Sequence, residues 1–359
     1  MKFDFAIGNP PYQEESETES TINGQKPRKN IFHYFQIEAD KITKQSSVMI
    51  YPGGRWIHQS GKGLQQFGKE LINDKKVSTI EFFPDSKEVF NNSIDIPDGI
   101  SIVVKNNNKV DAGFNYIYAV KGTENKIHTD NPGEKLMPLN PNDILIVNKI
   151  SNFVVKNKLH FLHDSILPRS LFSVESDFVE KNPDKVREYY EGCKLASDEI
   201  KLFTNDKAGS AGRSKWFIVK EGLITSNRNL IKEWQVVVSS AHGGGQEGRD
   251  NQLAIIDNCS AFGRARVALR SFKTLKEAQN FYNYVKTDIV RYAFLMTDEA
   301  LSALGKQVPD ILDYTDENIF VDFSKEDIDN QLNKLLGLTD NEITYVKEVI
   351  NGSNKKGVK

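Results

Sequence analysis

The stretch Phe3-Asp4-Phe5-Ala6-Ile7-Gly8-Asn9-Pro10-Pro11-Tyr12 decides the fold. Its first five residues are mostly apolar and aromatic, which predicts a short strand that ends at Gly8. Two consecutive prolines fix φ twice and remove two backbone donors, so the chain leaves the strand in a rigid turn with outward carbonyls. The sequence therefore predicts an acceptor site at the end of a strand.

This turn suits an amine substrate. An exocyclic amine held by the Asn9 side-chain oxygen and the Pro10 carbonyl would keep its lone pair free to attack an electrophilic methyl group. Tyr12 is placed to stack on the face of a planar ring. The alternative interpretation is an ordinary strand-ending turn.

Strand-like and helix-like segments alternate after this turn. The predicted segments are a helix at Asn30–Ala39, a strand at Ser47–Tyr51, a helix carrying Leu64, Phe67, Leu71 and Ile72, and strands at Val77–Phe83 and Ile100–Val104. Strands joined by helices of this length favour a parallel, layered α/β sheet.

The pattern changes after about residue 130, where Asn131-Pro132-Gly133 begins a turn-rich region. Residues 150–270 are predicted to be rich in short strands. A long helix is predicted over Ser271–Met296, with Thr274 and Glu277 as a capping box, and Gly337 separates two further helices. We expect two domains, residues 1–135 and 136–359, the second of mixed α+β class with helices at its end.

Composition excludes several classes of protein. The 359 residues are 38% hydrophobic and contain no apolar run long enough to span a bilayer, which predicts a soluble protein without a membrane segment. Cys193 and Cys259 give no disulfide framework and no metal-ligand spacing, which favours the reducing cytoplasm and no bound metal. We find no nuclease or hydrolase motif.

The net charge of -2 conceals a basic region. Residues 201–291 contain 15 Lys and Arg against 8 Asp and Glu, so this region is positive and the remainder is acidic. A basic segment in an acidic chain indicates a surface that faces nucleic acid, and the alternative is a solvated charged face.

The motif Asn9-Pro10-Pro11-Tyr12 resembles the catalytic motif of the amino-methyltransferases that methylate the N6 amine of adenine in DNA. Ser47–Trp56 and Gly61-Lys62-Gly63-Leu64 are similar to the segments that follow this motif in restriction-modification methylases. The helices after residue 271 resemble the target-recognition region of the same enzymes. The resemblance implies a partial Rossmann-like methyltransferase sheet followed by a DNA target-recognition domain, with the target base flipped out of the duplex.

The resemblance also implies roles for individual residues. Asn9, Pro10, Pro11 and Tyr12 are the catalytic candidates. Phe90 is a candidate for one wall of the base pocket, and the alternative is that it packs in the hydrophobic core. The candidates for contact with double-stranded DNA are polar and mostly basic: Arg213, Lys215, Arg228, His242, Gln246, Arg249, Arg264, Arg266 and Arg270. For each arginine, a phosphate contact or a surface ion pair is favoured over reading of a base.

The resembling enzymes bind S-adenosylmethionine on a glycine-rich loop that comes before the catalytic motif. The glycine clusters at residues 209–212 and 243–245, and Gly263, do not fit that loop. We therefore expect the cofactor-binding half to reside on a second polypeptide, or the open sheet to be covered in a homodimer. The alternative function is a catalytically inactive DNA-binding module derived from such a methylase.

Overall fold

The computed structural model describes residues 2–15, 28–54, 56–57, 64–90, 96, 98–133, 137–207, 214–240, 253–297 and 304–356. Contacts divide the chain into two compact units, Met1–Leu145 and Ile146–Lys359. The first unit extends beyond residue 135, because Met137 and Ile144 pack into its core. The assignment of a catalytic half and a recognition domain to these units stays a prediction.

The first unit is built on a six-stranded sheet with the order β1-β4-β6-β5-β7-β8. Its strands are β1 (Phe3–Gly8), β4 (Thr43–Pro52), β5 (Val77–Phe83), β6 (Ile100–Asn106), β7 (Phe114–Val120) and β8 (Thr123–Thr129), and a separate ribbon pairs β2 (Gln13–Glu15) with β3 (Arg28–Asn30). Its helices are α1 (Phe32–Ile42), α2 (Gln65–Ile72) and α3 (Lys87–Phe90); α4 (Pro141–Lys156) begins here and continues into the second unit.

The α/β class is confirmed, but the prediction of a parallel sheet is wrong. β1, β4, β5 and β7 share one direction, whereas β6 and β8 run antiparallel to their neighbours. Among the described residues of the link from β5 to β6, the only helix is the four-residue α3. This helix is about 6 Å long, whereas a seven-residue strand is about 23 Å long. The helix is therefore too short to return the chain to the start of β5, and β6 runs antiparallel to β5. Lys121 and Gly122, both with positive φ, form the tight turn between β7 and β8.

The core of the first unit lies between one face of the sheet and helices α1 and α2. Phe32 of α1 contacts Tyr51 of β4, with 5.1 Å between ring centroids, and Trp56 and Phe67 complete the aromatic group. Beside it, the Lys105 ammonium lies 2.6 Å from the carboxylates of both Asp40 and Asp74. Because Lys105 is only 5% exposed, this ion bridge ties α1 and the α2–β5 link to β6.

Strand β1 is the free edge of this sheet. Within the described residues it pairs with β4 on one side only. Its side chains alternate: Ala6 packs on the core, while Phe3, Phe5 and Ile7 on the other face are 48%, 63% and 82% exposed. An unpaired edge with large exposed apolar side chains is unusual in an isolated sheet.

The second unit contains short strands and the remaining helices. Its strands are β9 (His160–Phe161), β10 (Val186–Glu188), β11 (Glu199–Asn205), β12 (Ser214–Lys220), β13 (Trp234–Ser239), β14 (Ala254–Ile256), β15 (Ser260–Phe262), β16 (Arg266–Phe272) and β17 (Pro309–Asp310). They form sheets with the orders β10-β12-β11-β15, β14-β13-β16 and β17-β9. Its helices are α5 (Phe178–Lys181), α6 (Leu275–Lys286), α7 (Asp288–Leu295), α8 (Ile328–Leu335) and α9 (Asp340–Lys356).

The predicted capping box of Thr274 and Glu277 is present, but the single long helix over residues 271–296 is wrong. The helix breaks at Thr287, whose backbone is extended. The Thr287 hydroxyl donates to the Tyr284 carbonyl at 2.7 Å, and the Asp329 carboxylate accepts the Asp288 amide at 2.7 Å. Because side chains satisfy the backbone groups at the break, a second helix begins at Asp288.

Candidate functional site

The predicted acceptor turn follows β1 directly. Ile7 and Gly8 pair with Val48 and Met49 of β4, so the turn begins at the point where the sheet ends. Gly8 is closely packed there, because a Cβ at this position would lie 2.9 Å from the Met49 sulfur. Two residues later the Pro10 side chain is buried. The packing of Gly8 against β4 and the burial of Pro10 therefore fix the position of the turn.

Asn9 and Tyr12 are joined within this turn. The Tyr12 hydroxyl donates to Asn9 Oδ1 at 2.9 Å, and the Tyr12 carbonyl accepts the Ile31 amide at 3.0 Å. Asn9 is exposed, whereas the Tyr12 ring is half-buried against the core. Burial raises the pKa of the Tyr12 hydroxyl, which therefore stays a neutral donor through the physiological range.

β4 and β5 run parallel to β1, so they terminate at the same end of the sheet as the turn at Asn9–Tyr12. After β4, Gly53 and Gly54 donate their amides to the carbonyls of Gly99 and Asp98, at 2.7 and 3.1 Å. After β5 comes α3, whose last residue, Phe90, is half-buried. The structure therefore places Phe90 after β5 at the same end of the sheet as Asn9 and Tyr12, with β4 and β6 between β5 and β1.

Helix α3 is anchored by a residue that the sequence did not single out. The Glu88 carboxylate accepts the amides of Lys121 and Gly122, at 2.9 and 3.2 Å. Two consecutive residues with positive φ direct their amides to one point, which is a suitable site for a carboxylate. Glu88 thereby links the helix of Phe90 to the β7–β8 turn.

Two glycines next to strand ends, Gly54 and Gly263, leave no space for a cofactor. A Cβ on Gly54 would lie 2.8 Å from Leu139, and a Cβ on Gly263 would lie 2.0 Å from the Thr204 hydroxyl oxygen. These spaces are therefore filled by the protein itself. The glycine clusters at residues 209–212 and 243–245 lie outside the described residues, as do Gly61-Lys62-Gly63.

The described residues form neither a metal site nor a membrane span. No group of three or more His, Cys, Asp or Glu side chains among the described residues is arranged to hold a metal ion. Among the described helices, none has the length and apolar content of a transmembrane span.

The predicted DNA contacts divide into three sets. Arg213, His242, Gln246 and Arg249 lie outside the described residues. Three candidates are at the surface in ion pairs: Lys215 with Asp206 at 3.5 Å, Arg228 with Glu221 at 3.0 Å, and Arg264 with Glu175 at 2.7 Å. Exposed pairs of this kind are weak, so these side chains are free to exchange partners.

The remaining two candidates point inward, which corrects their prediction as surface residues. Arg266 is 3% exposed, and its guanidinium lies 4.9 Å from the centre of the Phe203 ring. Arg270 bonds the fully buried Asp310 carboxylate and donates to the Leu312 carbonyl at 2.9 Å. Because a buried carboxylate needs a paired charge, Arg270 serves the fold.

Comparison with known proteins identifies the region that contains this turn. Residues 1–90 match the Eco57I restriction-modification methylase family. This part of the chain is therefore similar to a restriction-modification methylase domain. The matched range includes Asn9–Tyr12 and ends at Phe90, and it confirms the resemblance stated from the sequence.

An uncharacterized adenine-specific methylase of Mycoplasma pneumoniae (strain ATCC 29342 / M129 / Subtype 1) is 29% identical over 150 residues. The match covers 42% of this chain and 34% of the relative, so the chain spans about a third of that protein's length.

Solved structures of restriction-modification proteins are also similar. The type IIG restriction endonuclease BpuSI is matched over 99% of this chain and 55% of its own, with 10% identity and a TM-score of 0.38. A modification subunit of a putative type I restriction enzyme from Vibrio vulnificus YJ016 is matched over 34% and 27%, with 16% identity and a TM-score of 0.25. TM-scores this low do not establish a shared fold.

Two features of this region were not predicted from the sequence: the hydrogen bond between Tyr12 and Asn9, and the anchoring of α3 by Glu88. The spacing of Asn9 and Tyr12, three residues apart across two prolines, was a usable signal for their hydrogen bond. Glu88 offered no local signal, because its partners Lys121 and Gly122 are more than thirty residues away.

Proposed function

We propose that the chain is the DNA-recognition and catalytic-motif component of a site-specific adenine-N6 DNA methyltransferase of a restriction-modification system. One observation carries the proposal: Asn9 and Tyr12 lie side by side, hydrogen-bonded, at the strand-end edge of an Eco57I-type methylase domain. An amide oxygen next to an aromatic ring suits a planar base with an exocyclic amine.

The chain's own groups would hold the base. Asn9 Oδ1 and the Pro10 carbonyl accept the two amine protons, which directs the nitrogen lone pair away from both acceptors. Tyr12 stacks on one face of the ring, and Phe90 limits the pocket from the same edge of the sheet. The half-buried Tyr12 ring is already ordered by the core, so little entropy is lost on stacking.

S-adenosylmethionine is the proposed methyl donor, held by strands of a second polypeptide. The free edge of β1 and its exposed Phe3, Phe5 and Ile7 support a partner that pairs with this strand. A homodimer through the same edge is the alternative arrangement. Double-stranded DNA is the proposed substrate.

The test mixes the chain with a candidate partner, labelled S-adenosylmethionine and unmethylated DNA. Asn9→Ala should abolish methyl transfer and leave DNA binding largely intact, because it removes one acceptor for the amine. Asn108→Ala is the matched control. Asn108 is also exposed, but it follows β6, which terminates at the opposite end of the sheet. Full transfer by Asn9→Ala would refute the role of the motif.

The second candidate is an inactive DNA-binding module. It is favoured by one observation, that the space beside Gly54, at the end of β4, is filled by the Leu139 side chain. The two candidates separate in the same experiment, because the module binds DNA but transfers no methyl group with any partner.

A further inference from the structure

The second unit contains an exposed polar corner where three distant segments meet. We call it the arginine corner and define it as residues 169–175, residues 226–228 and Arg264. The Asn227 side chain donates to the Leu171 carbonyl at 2.7 Å, and the Arg264 amide donates to the Val174 carbonyl at 2.9 Å. The hydroxyls of Ser173 and Ser226 lie 2.7 Å apart. The segments are therefore held together by direct hydrogen bonds.

The corner is rigid. Leu171, Phe172 and Val174 are almost fully buried in a core cluster of this unit. Ser173, which lies between them, is exposed, and both Ser170 and Ser173 have left-handed backbones with φ of 59° and 56°. A non-glycine residue keeps that conformation only where its surroundings impose it. The outward groups are thus presented on a fixed scaffold.

The outward groups are guanidinium and hydroxyl donors. Arg169, Arg228 and Arg264 are exposed, and two glutamates accompany them. Arg264 and Arg228 are 44% and 54% exposed, and each already holds one carboxylate. The Arg264 guanidinium and the Ser170 hydroxyl lower the pKa of the Glu175 carboxyl, so this carboxylate orients the arginine as an anion.

We infer that the arginine corner binds the phosphate backbone of double-stranded DNA. Arginine and serine donors are the groups that most often hold DNA phosphates, and a phosphate oxygen can replace the carboxylate in each exposed ion pair. Phosphate contacts position the duplex without reading its sequence. Arg169 was not among the sequence-predicted contacts, whereas Arg228 and Arg264 were, and hydrogen bonds hold together the three segments that carry them. The inference rests on the proposed function, which makes DNA the substrate.

The experiment measures how salt weakens binding of the full chain to a fluorescent, mixed-sequence duplex of about 25 base pairs, followed by anisotropy. Each phosphate contact contributes about 0.9 to the slope of log affinity against log salt. The double variant Arg228→Gln with Arg264→Gln should therefore reduce the slope by about 1.8. Between about 50 and 200 mM salt, its affinity deficit should shrink about 12-fold.

The matched control is Arg187→Gln with Lys220→Gln. These two cations are also exposed and paired with carboxylates, to Glu199 at 2.8 Å and to Asp198 at 2.9 Å, but they lie outside the corner. The control changes the net charge by the same amount, so a general charge effect lowers both slopes equally. Arg228→Lys with Arg264→Lys keeps the charges and should restore most of the slope.

The outcomes are distinct. A reduced slope in the corner variant alone, with unchanged thermal melting by circular dichroism, supports the inference. Equal slopes in the corner and control variants overturn it while leaving the proposed function intact. If the wild-type chain shows no salt-dependent binding to any duplex, the proposed function and the inference both fail.

Discussion

Replacing Tyr12 by phenylalanine should tighten the binding of the target base. In the free protein the Tyr12 hydroxyl occupies Asn9 Oδ1, the atom proposed to accept the adenine amine. This hydrogen bond has to break before the amine enters. Tyr12→Phe removes the hydroxyl and keeps the aromatic ring, so the acceptor is available from the start.

The size of the effect follows from the geometry of this bond. It joins two neutral groups at 2.9 Å and is exposed, so its net value is about 0.5–1.5 kcal/mol. The apparent KM for DNA should therefore fall about 2- to 13-fold in Tyr12→Phe. Tyr12→Ala should act in the opposite direction, because losing base stacking costs about 1–3 kcal/mol, or about 5- to 150-fold. Burial raises the pKa of Tyr12 above its usual value, so its hydroxyl stays protonated between about pH 6 and 9. The ratio of the KM values of the wild type and Tyr12→Phe should therefore be constant over this range.

The assay is transfer of labelled methyl groups to unmethylated DNA, with the cofactor-binding partner present and DNA concentration varied. The result that would refute the reasoning is a higher KM in Tyr12→Phe, approaching that of Tyr12→Ala. It would mean that the hydroxyl itself holds the base.

Three further predictions concern stability, each measured by urea unfolding. Gly99→Ala should lose more than about 2 kcal/mol, because its Cβ would lie 2.1 Å from the Phe83 carbonyl oxygen; Gly122→Ala, with similar φ and open space, should lose only about 1 kcal/mol. Lys105→Met should lose about 2 kcal/mol, since both partner carboxylates are partly exposed. Burial raises the pKa of Asp74, but hydrogen bonds from Lys105 and Lys76 outweigh it and lower the pKa below 3.8. Wild-type stability should therefore fall as the pH drops below about 5, and less steeply in Lys105→Met. Thr274→Ala should lose about 1 kcal/mol from its capping box.

Local patterns predicted four of the six strands of the main sheet, β1, β4, β5 and β6, and the helices α1 and α2. The strand before Asn9 and the strand Val77–Phe83 were found because their apolar residues and flanking turns are contiguous. The strands β7 and β8 were not predicted, and the direction of β6 was predicted wrongly, because the direction of a strand depends on how far the preceding link carries the chain. The break at Thr287 was hidden for a related reason: its capping partner, Asp329, is distant in sequence.

In the candidate site, too, the features that depend on neighbouring residues were predicted, and those that depend on distant residues were not. Asn9 and Tyr12 were identified because their chemistry and spacing are local. Arginines were read as surface residues, since the charge of a side chain does not reveal its partner. Arg270 is held by Asp310, forty residues further along, and only the folded chain brings them together.

The open edge of β1 has a consequence for handling the protein. Unpaired backbone groups beside Phe3, Phe5 and Ile7 form a template on which any other extended chain can add. Where the proposed partner does not cover this edge, copies of the strand would add to one another. A charged residue in place of Ile7 would then raise solubility and, under the proposed assembly, weaken the pairing with the partner.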